Sequence, residues 1–312
     1  MLVIGNITLD SVFTVDRLPR SGKTAIVRQS REYFGGRGAN IAVLAAELGL
    51  KVSLLAAVGD DLPRRYSRHL RARKVGLSYL RHVKGSHCAR FLAFQTDEKE
   101  MVCFLDPIET PRGVHLLPSY DELNRFQAVM ITPLDSDVHL RKFHPSSKDQ
   151  IVFLALGEEI YRKDRRFLHQ ALSFPHYLFL NELEFAKCGE LVGKKGKKFS
   201  PKVFFALGPR LRAIVVTKGE KGCIAHTRSG SITVPAVRTP LRTNLGASDS
   251  FLAGFIWGVL SNCSLLDSLR MGTIIASMAM RNKYVQLFKA DRHQIERKFL
   301  ASFHIVPSCL TT

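Results

Sequence analysis

The run Thr243-Asn244-Leu245-Gly246-Ala247-Ser248-Asp249-Ser250-Phe251 decides how this chain is read, together with Leu252-Ala253-Gly254-Phe255-Ile256-Trp257-Gly258-Val259-Leu260 behind it. The second half is apolar on every side, which predicts a buried helix. Gly246 permits a tight turn ahead of it, and small residues open the first helical turn. Unpaired N–H groups at a helix start, with the positive end of the helix dipole, make a site for an anion. Asp249 places a carboxylate in that same turn. A phosphoryl group gathering negative charge and a hydroxyl giving up its proton need such a pair. The competing possibility is an ordinary buried helix with an acidic N-terminus, and this stretch alone does not separate the two.

Composition narrows the class. A chain of 312 residues holds one large α/β domain or two smaller ones. Its 46% apolar and 23% charged residues are those of a soluble globular protein. A formal net charge of +19 favours anionic partners, whether nucleotides, phosphorylated metabolites or nucleic acid. The basic residues nevertheless fall into short separate groups: Arg64, Arg65, Arg68, Arg71, Arg73 and Lys74; Arg162, Lys163, Arg165 and Arg166; Lys194, Lys195, Lys197 and Lys198. No aromatic residues interleave them and no nucleic-acid motif accompanies them. Solvated helix faces are expected, and nucleic acid is not expected as a partner. The six cysteines include no C-x-x-C pair, so metal or redox use is not expected and reduced thiols are the default. A strand starts at once with Leu2-Val3-Ile4, which argues against a signal peptide. The apolar run ending at Leu260 is about half the length of a membrane span. A soluble cytoplasmic protein with no membrane partner is the expectation.

Taken in order, residues 2–8 form an apolar strand running into Asp10. Residues 11–15 and 25–33 alternate around the turn signal Pro19-Arg20-Ser21-Gly22, which predicts a hairpin or small flanking sheet. Gly35-Gly36-Arg37-Gly38-Ala39-Asn40 then opens a helix that Gly49 stops. Glycines there let backbone approach a ligand closely, although G-G-R-G is neither a P-loop nor a dinucleotide fingerprint. A strand over 52–58, a helix near 63–74 and a strand pair over 88–95 and 101–105 follow. Short apolar strands over 128–132, 151–156, 177–180 and 213–216 alternate with helical segments. Such alternation implies a mainly parallel sheet between layers of helices, with ligands beyond the carboxyl ends of its strands. Asp10, Asn181, Thr217 and the loop before Asp249 are all placed at such ends.

Asn181-Glu182-Leu183-Glu184 follows a strand and opens a helix. Asn181 would cap it, and a carboxylate one turn on could hold a metal-bound water. The alternative is a capping box in which Glu184 only reaches back to Asn181. Thr217-Lys218-Gly219-Glu220-Lys221-Gly222 reads either as a glycine-bearing hairpin or as donors around nucleotide phosphates.

In this order and spacing the motifs resemble the ribokinase-like (pfkB) family of carbohydrate and nucleoside kinases, over nearly the whole chain. The resemblance implies one domain over 1–312: a central mainly parallel sheet between helices, with a small β-lid from segments near 10–34 and 88–106. Carried over, it makes Asp249 the base that takes a proton from the acceptor hydroxyl, and the amides of Gly246, Ala247 and Ser248 the anion hole. Asn181 and Glu184 would serve the nucleotide phosphates and Mg²⁺, the metal through water on Glu184. Thr217, Lys218, Gly219 and Gly222 would hold ATP, and Asp10, Gly35, Gly36, Arg37, Gly38 and Asn40 the phosphoryl acceptor. Phosphoryl transfer is mostly positioning and charge neutralisation, so these parts suffice.

Three departures matter. Thr243 stands where the family's first Asp would be, which weakens any expectation of a monovalent cation. Ser248 replaces a Gly, so the anion hole survives only if its dihedrals suit a residue with a Cβ. Arg37 offers a planar fork where relatives often have Lys. The expected activity is ATP- and Mg²⁺-dependent phosphorylation of a sugar or sugar phosphate. A nucleoside kinase is the alternative acceptor class, with Phe13, Tyr33 and Phe34 near the lid. From another class, a ligand- or nucleic-acid-binding regulator with weakened catalysis would fit Ser248 and Thr243, against the intact Asp249. A homodimer is left open.

Overall fold

A computed structural model describes residues 1–98, 100–109, 117–132, 143, 145, 147, 149–193, 200–240 and 245–311. In chain order it contains β1 Leu2–Ile4, β2 Thr8–Val15, β3 Val27–Gly35, α1 Arg37–Glu47, β4 Val52–Val58, α2 Arg64–Ala72, β5 Val75–His82, β6 Ala89–Gln95 and β7 Met101–Asp106. There follow α3 Tyr120–Leu123, β8 Ala128–Ile131, β9 Ile151–Ala155, α4 Arg165–Leu172, β10 Tyr177–Asn181, α5 Glu182–Val192, α6 Lys202–Leu207 and β11 Ala213–Thr217. The last part holds β12 Cys223–His226, β13 Ser231–Val234, α7 Ala247–Leu260, α8 Leu265–Ala279, a 3₁₀ turn Val285–Leu287 and α9 Arg292–Phe303.

Nine strands form the main sheet in the order β13-β12-β11-β10-β9-β8-β1-β4-β5. Every neighbouring pair from β11 to β5 is parallel, and β12 and β13 extend the far edge antiparallel. Its central strands are unbroken apolar runs because both faces are covered. Successive side chains enter opposite cores, as a pleat requires. Leu2, Ile4, Val129, Ile131, Leu178, Leu180, Ile214 and Val216 pack with Phe167 and Phe204 of α4 and α6. Val3, Met130, Phe153, Phe179 and Val215 face Ile41, Phe251 and Phe255 of α1 and α7. The α/β architecture is as the sequence implies.

A second sheet of four strands, β3-β2-β6-β7, stands apart from the first. Here the structure corrects the expectation of one strand over 2–8 running into Asp10. The main-sheet strand ends at Ile4, the chain turns through Gly5-Asn6-Ile7, and Asp10 lies inside β2 of the small sheet. The break has a steric cause: a Cβ on Gly5 would stand 2.7 Å from Gly38 Cα, so the start of α1 crosses there. Strand β5, at the edge of the main sheet, was not expected from sequence.

The arginines of α2 lie on an exposed face while Tyr66 and Leu70 point inward, as expected of a solvated helix. The expectation of free thiols throughout is corrected at Cys263 and Cys309, which form a disulfide with Cα atoms 5.7 Å apart, 46 positions apart in sequence. No described helix is long and apolar enough to cross a membrane.

Candidate active site

The site assembles where the start of α7, the start of α1 and β2 meet. Gly246 takes a left-handed conformation (φ 82°, ψ 12°) as the N-cap of α7, and as a glycine it offers that helix no capping side chain. Its first-turn amides, on Ala247, Ser248 and Asp249, are therefore left for an anion. Ser248 lies within the helix and has no positive φ, so its Cβ fits this turn without strain. Thr243 and Asn244 lie outside the described residues.

Asp249 is buried. Asn40 Nδ2 donates to its Oδ2 at 2.8 Å, and Arg37 Nε stands 3.4 Å from its Oδ1. Burial raises the Asp249 carboxyl above the ordinary carboxylate range, while the Arg37 charge and the Asn40 hydrogen bond pull it back. A carboxylate held by two donors yet desolvated is oriented and more basic than usual, which is what proton abstraction asks for.

Asp10 is the second carboxylate. Burial pushes it up to about 7, against a hydrogen bond from Thr8, and the Asp249 charge adds to the rise. Gly35 is the space that Asp10 occupies: a Cβ there would sit 1.9 Å from Oδ2 and 2.1 Å from Cγ. Gly35→Ala is therefore expected to displace the carboxylate, raising the acceptor KM ~10-fold or more and costing ~1–3 kcal/mol of stability. Acceptor saturation curves and thermal melts check both.

The next two glycines are required by the packing of the chain itself. A Cβ on Gly36 would stand 2.5 Å from Asn6 O, and one on Gly38 would stand 2.8 Å from Asn6 N. Asn6 takes the free amides of α1 itself: its Oδ1 accepts from Gly38 N at 3.4 Å and its carbonyl from Ala39 N at 3.1 Å. Close backbone approach is thus used to lock α1 under the β1–β2 crossing, and this aims Arg37 and Asn40 at Asp249.

Across the site, Asn181 and Glu184 form the capping box: Glu184 N donates to Asn181 Oδ1 at 2.8 Å and Asn181 N to Glu184 Oε2 at 2.9 Å. The cap does not exhaust Glu184. It is buried, and burial raises its carboxyl; the Asn181 amide and the Arg37 charge lower it, and Glu158 raises it. The Arg37 charge thus acts on both Asp249 and Glu184. No group of three metal-ligating side chains occurs among the described residues. A single buried carboxylate with Oε2 in the cap suits Mg²⁺ that keeps its waters, not a protein cage.

Thr217 pairs with Asn181 at the carboxyl ends of β11 and β10, and Lys218 Nζ lies 3.3 Å from Glu182. Gly219 is left-handed (φ 54°) with open space where a Cβ would be, and Gly222 closes the turn by accepting from Lys218 N at 2.7 Å. These four lie at and just beyond the end of β11, whose last residue pairs with Asn181. Sequence reasoning missed Asn6, Tyr66, Glu158 and Gln286. Only Tyr66 had a local signal, the stripe with Leu70 in an arginine-rich helix.

An anion-ready helix start with a buried carboxylate in its first turn, a second carboxylate in the small sheet and an open turn beyond two strand ends suit a small-molecule phosphotransferase. The sequence pattern of pfkB family carbohydrate kinases matches residues 1–291, and the chain belongs to that family. The nucleoside kinase of Methanocaldococcus jannaschii is 24% identical over 289 residues, which is 91% of each chain. The ribokinase of Lactococcus lactis is 23% identical over 289 residues, covering 89% of this chain and 90% of its own. The crystal structure of the M. jannaschii nucleoside kinase matches with a TM-score of 0.82 at 21% identity, over 96% of this chain and 98% of that one. The nucleoside kinase of Burkholderia thailandensis in complex with inosine also matches with a TM-score of 0.82, at 18% identity over 98% of both chains. The protein is a phosphotransferase of this kinase family, whose relatives include enzymes named nucleoside kinase and ribokinase.

Proposed function

We propose that the chain transfers the γ-phosphoryl group of ATP to a hydroxyl of a sugar-containing acceptor, with Asp249 as the general base. The observation that carries this is Asp249 itself: buried, held by Asn40 and Arg37, and in the first turn of a helix whose N-cap is Gly246. Asp249 takes the acceptor proton while the amides of Gly246, Ala247 and Ser248 receive the phosphoryl oxygens. Arg37, whose charge acts on both Asp249 and Glu184, adds positive charge along the path of transfer. Mg²⁺, held through water on Glu184, would neutralise the polyphosphate. Thr217, Lys218, Gly219 and Gly222 hold the nucleotide. Asp10 accepts from acceptor hydroxyls; Asn40 has both ends of its amide engaged by protein and serves Asp249 first.

One observation favours a nucleoside over a free sugar. In the small sheet Asp10 pairs with Tyr33 on β3 and Phe91 on β6, and Phe91 pairs with Leu105 on β7. Residues paired across strands share a face, so an aromatic and apolar row extends on both sides of Asp10. Leu105 is 58% exposed, a surface that a base would cover. ATP turnover over a panel of pentoses, hexoses, hexose phosphates, inositol and nucleosides tests this. Nucleosides at higher kcat/KM than ribose are expected; free sugars preferred would return the acceptor to the sugar class, and no turnover with any member would overturn the activity.

A further inference from the structure

We infer that Gln286 is a positioning residue for the base: acting through Asn40, it fixes which end of the Asn40 amide faces Asp249. The inference rests on the assignment of Asp249 as base. Gln286 is fully buried, in the 3₁₀ turn between α8 and α9. Its Nε2 donates to Asn40 Oδ1 at 2.8 Å and to the Tyr66 hydroxyl at 3.1 Å. Tyr66 spends its own proton on the Gly35 carbonyl, so towards Gln286 it can only accept. An ionised carboxylate also only accepts, so the Asn40 atom facing Asp249 must be Nδ2. The chain of donors then runs one way, from Gln286 to Asn40 to Asp249. Reversing either amide would set oxygen against oxygen.

Gln286 also acts on His69 as a hydrogen-bond partner. A Met of similar length would fill the space. What Met cannot do is donate to Asn40. The charged and titratable groups facing this line are Arg37 from α1, Asp10 from β2, Tyr66 and His69 from α2, and Tyr284 beside the turn, with Arg73 and Glu47 acting on His69 and Cys88 on Tyr66. A hydrogen bond to the charged form of Asp249 holds its proton affinity down. Losing the correct Asn40 orientation should let it rise.

The test is Gln286→Met and Tyr66→Phe in the full chain, assayed with ATP and the acceptor that the panel returns, beside Asn40→Ala, the Asn40→Ala/Gln286→Met double variant and Asp249→Asn. An NMR pH titration of the Asp249 carboxyl in aspartate-labelled enzyme gives a readout that needs no acceptor. Gln286→Met is expected to lower kcat ~10-fold or more with the KM for ATP unchanged, and to move both the acid limb and the Asp249 titration to higher pH. Tyr66→Phe keeps the ring stacked on Phe34 and should shift both in the same direction, by less. In the Asn40→Ala background Gln286→Met should have no further effect on kcat. A lower melting temperature with kcat and both titrations unmoved would overturn the inference; if Gln286→Met does not fold, an unmoved Tyr66→Phe overturns it alone. Asp249→Asn separates the two levels. Full turnover there removes the base assignment, whereas a dead Asp249→Asn beside an unaffected Gln286→Met removes only the role of Gln286.

Discussion

Asp249→Asn is expected to cut turnover by ~10²–10⁴ while the fold and the binding of ATP stay close to wild type. The substitution keeps shape, and its amide oxygen can still accept from Asn40 Nδ2 where Oδ2 does now. Arg37 loses an ion pair, but its side chain is 30% exposed and solvent takes up the difference. Removing a desolvated charge also lifts a cost, because burial opposes ionisation at this position. What the variant lacks is a group that can take the acceptor proton. The nucleotide site proposed around Thr217 and Asn181 lies on other elements, so the KM for ATP should hardly move. Steady-state turnover at saturating acceptor, with thermal melting as a check on folding, measures this. More than half of wild-type turnover would mean that another group is the base.

How far the site could be read from sequence follows from how local each part is. The proposed anion hole and base lie within one helical turn, so Gly246 to Asp249 could be read together as one candidate site. So was the Asn181 cap, because a capping box is a three-residue relation. The strand runs of the main sheet were legible because burial on both faces removes polar alternation. The break between β1 and β2 was not, since residues 2–4 and 7–9 are all apolar or small; only the packing of Gly5 against Gly38 forces the turn. Strand β5 is an edge strand with a mostly half-exposed pattern, which weakens its apolar signal. Gln286 and the Cys263–Cys309 pair depend on contacts between residues 246 and 46 positions apart. No window of sequence contains them.

Asp10→Asn should make the protein more stable and a worse kinase. The Asp10 carboxyl titrates near 7 in the folded protein, chiefly because it is buried, against ~3.9 in an unfolded chain. Between those values the folded state keeps a proton that the unfolded state has lost, so stability falls as pH rises through the window. Above about pH 7 the full cost of the buried charge is present, and below about pH 4 none of it is. At ~1.4 kcal/mol per pH unit between the two values, the amide should gain up to ~4 kcal/mol above neutral pH and almost nothing in acid. The hydrogen bond from Thr8 survives, because the amide oxygen still accepts. The acceptor loses a charged partner for its hydroxyls, so its KM should rise by ~1–3 kcal/mol, roughly 10- to 100-fold, while that of ATP stays put. Melting curves across pH and separate saturation curves for the two substrates check the pair of effects. An unchanged melting temperature above neutral pH would mean that Asp10 titrates as an ordinary carboxylate. A KM change for ATP and not for the acceptor would put Asp10 in the wrong pocket.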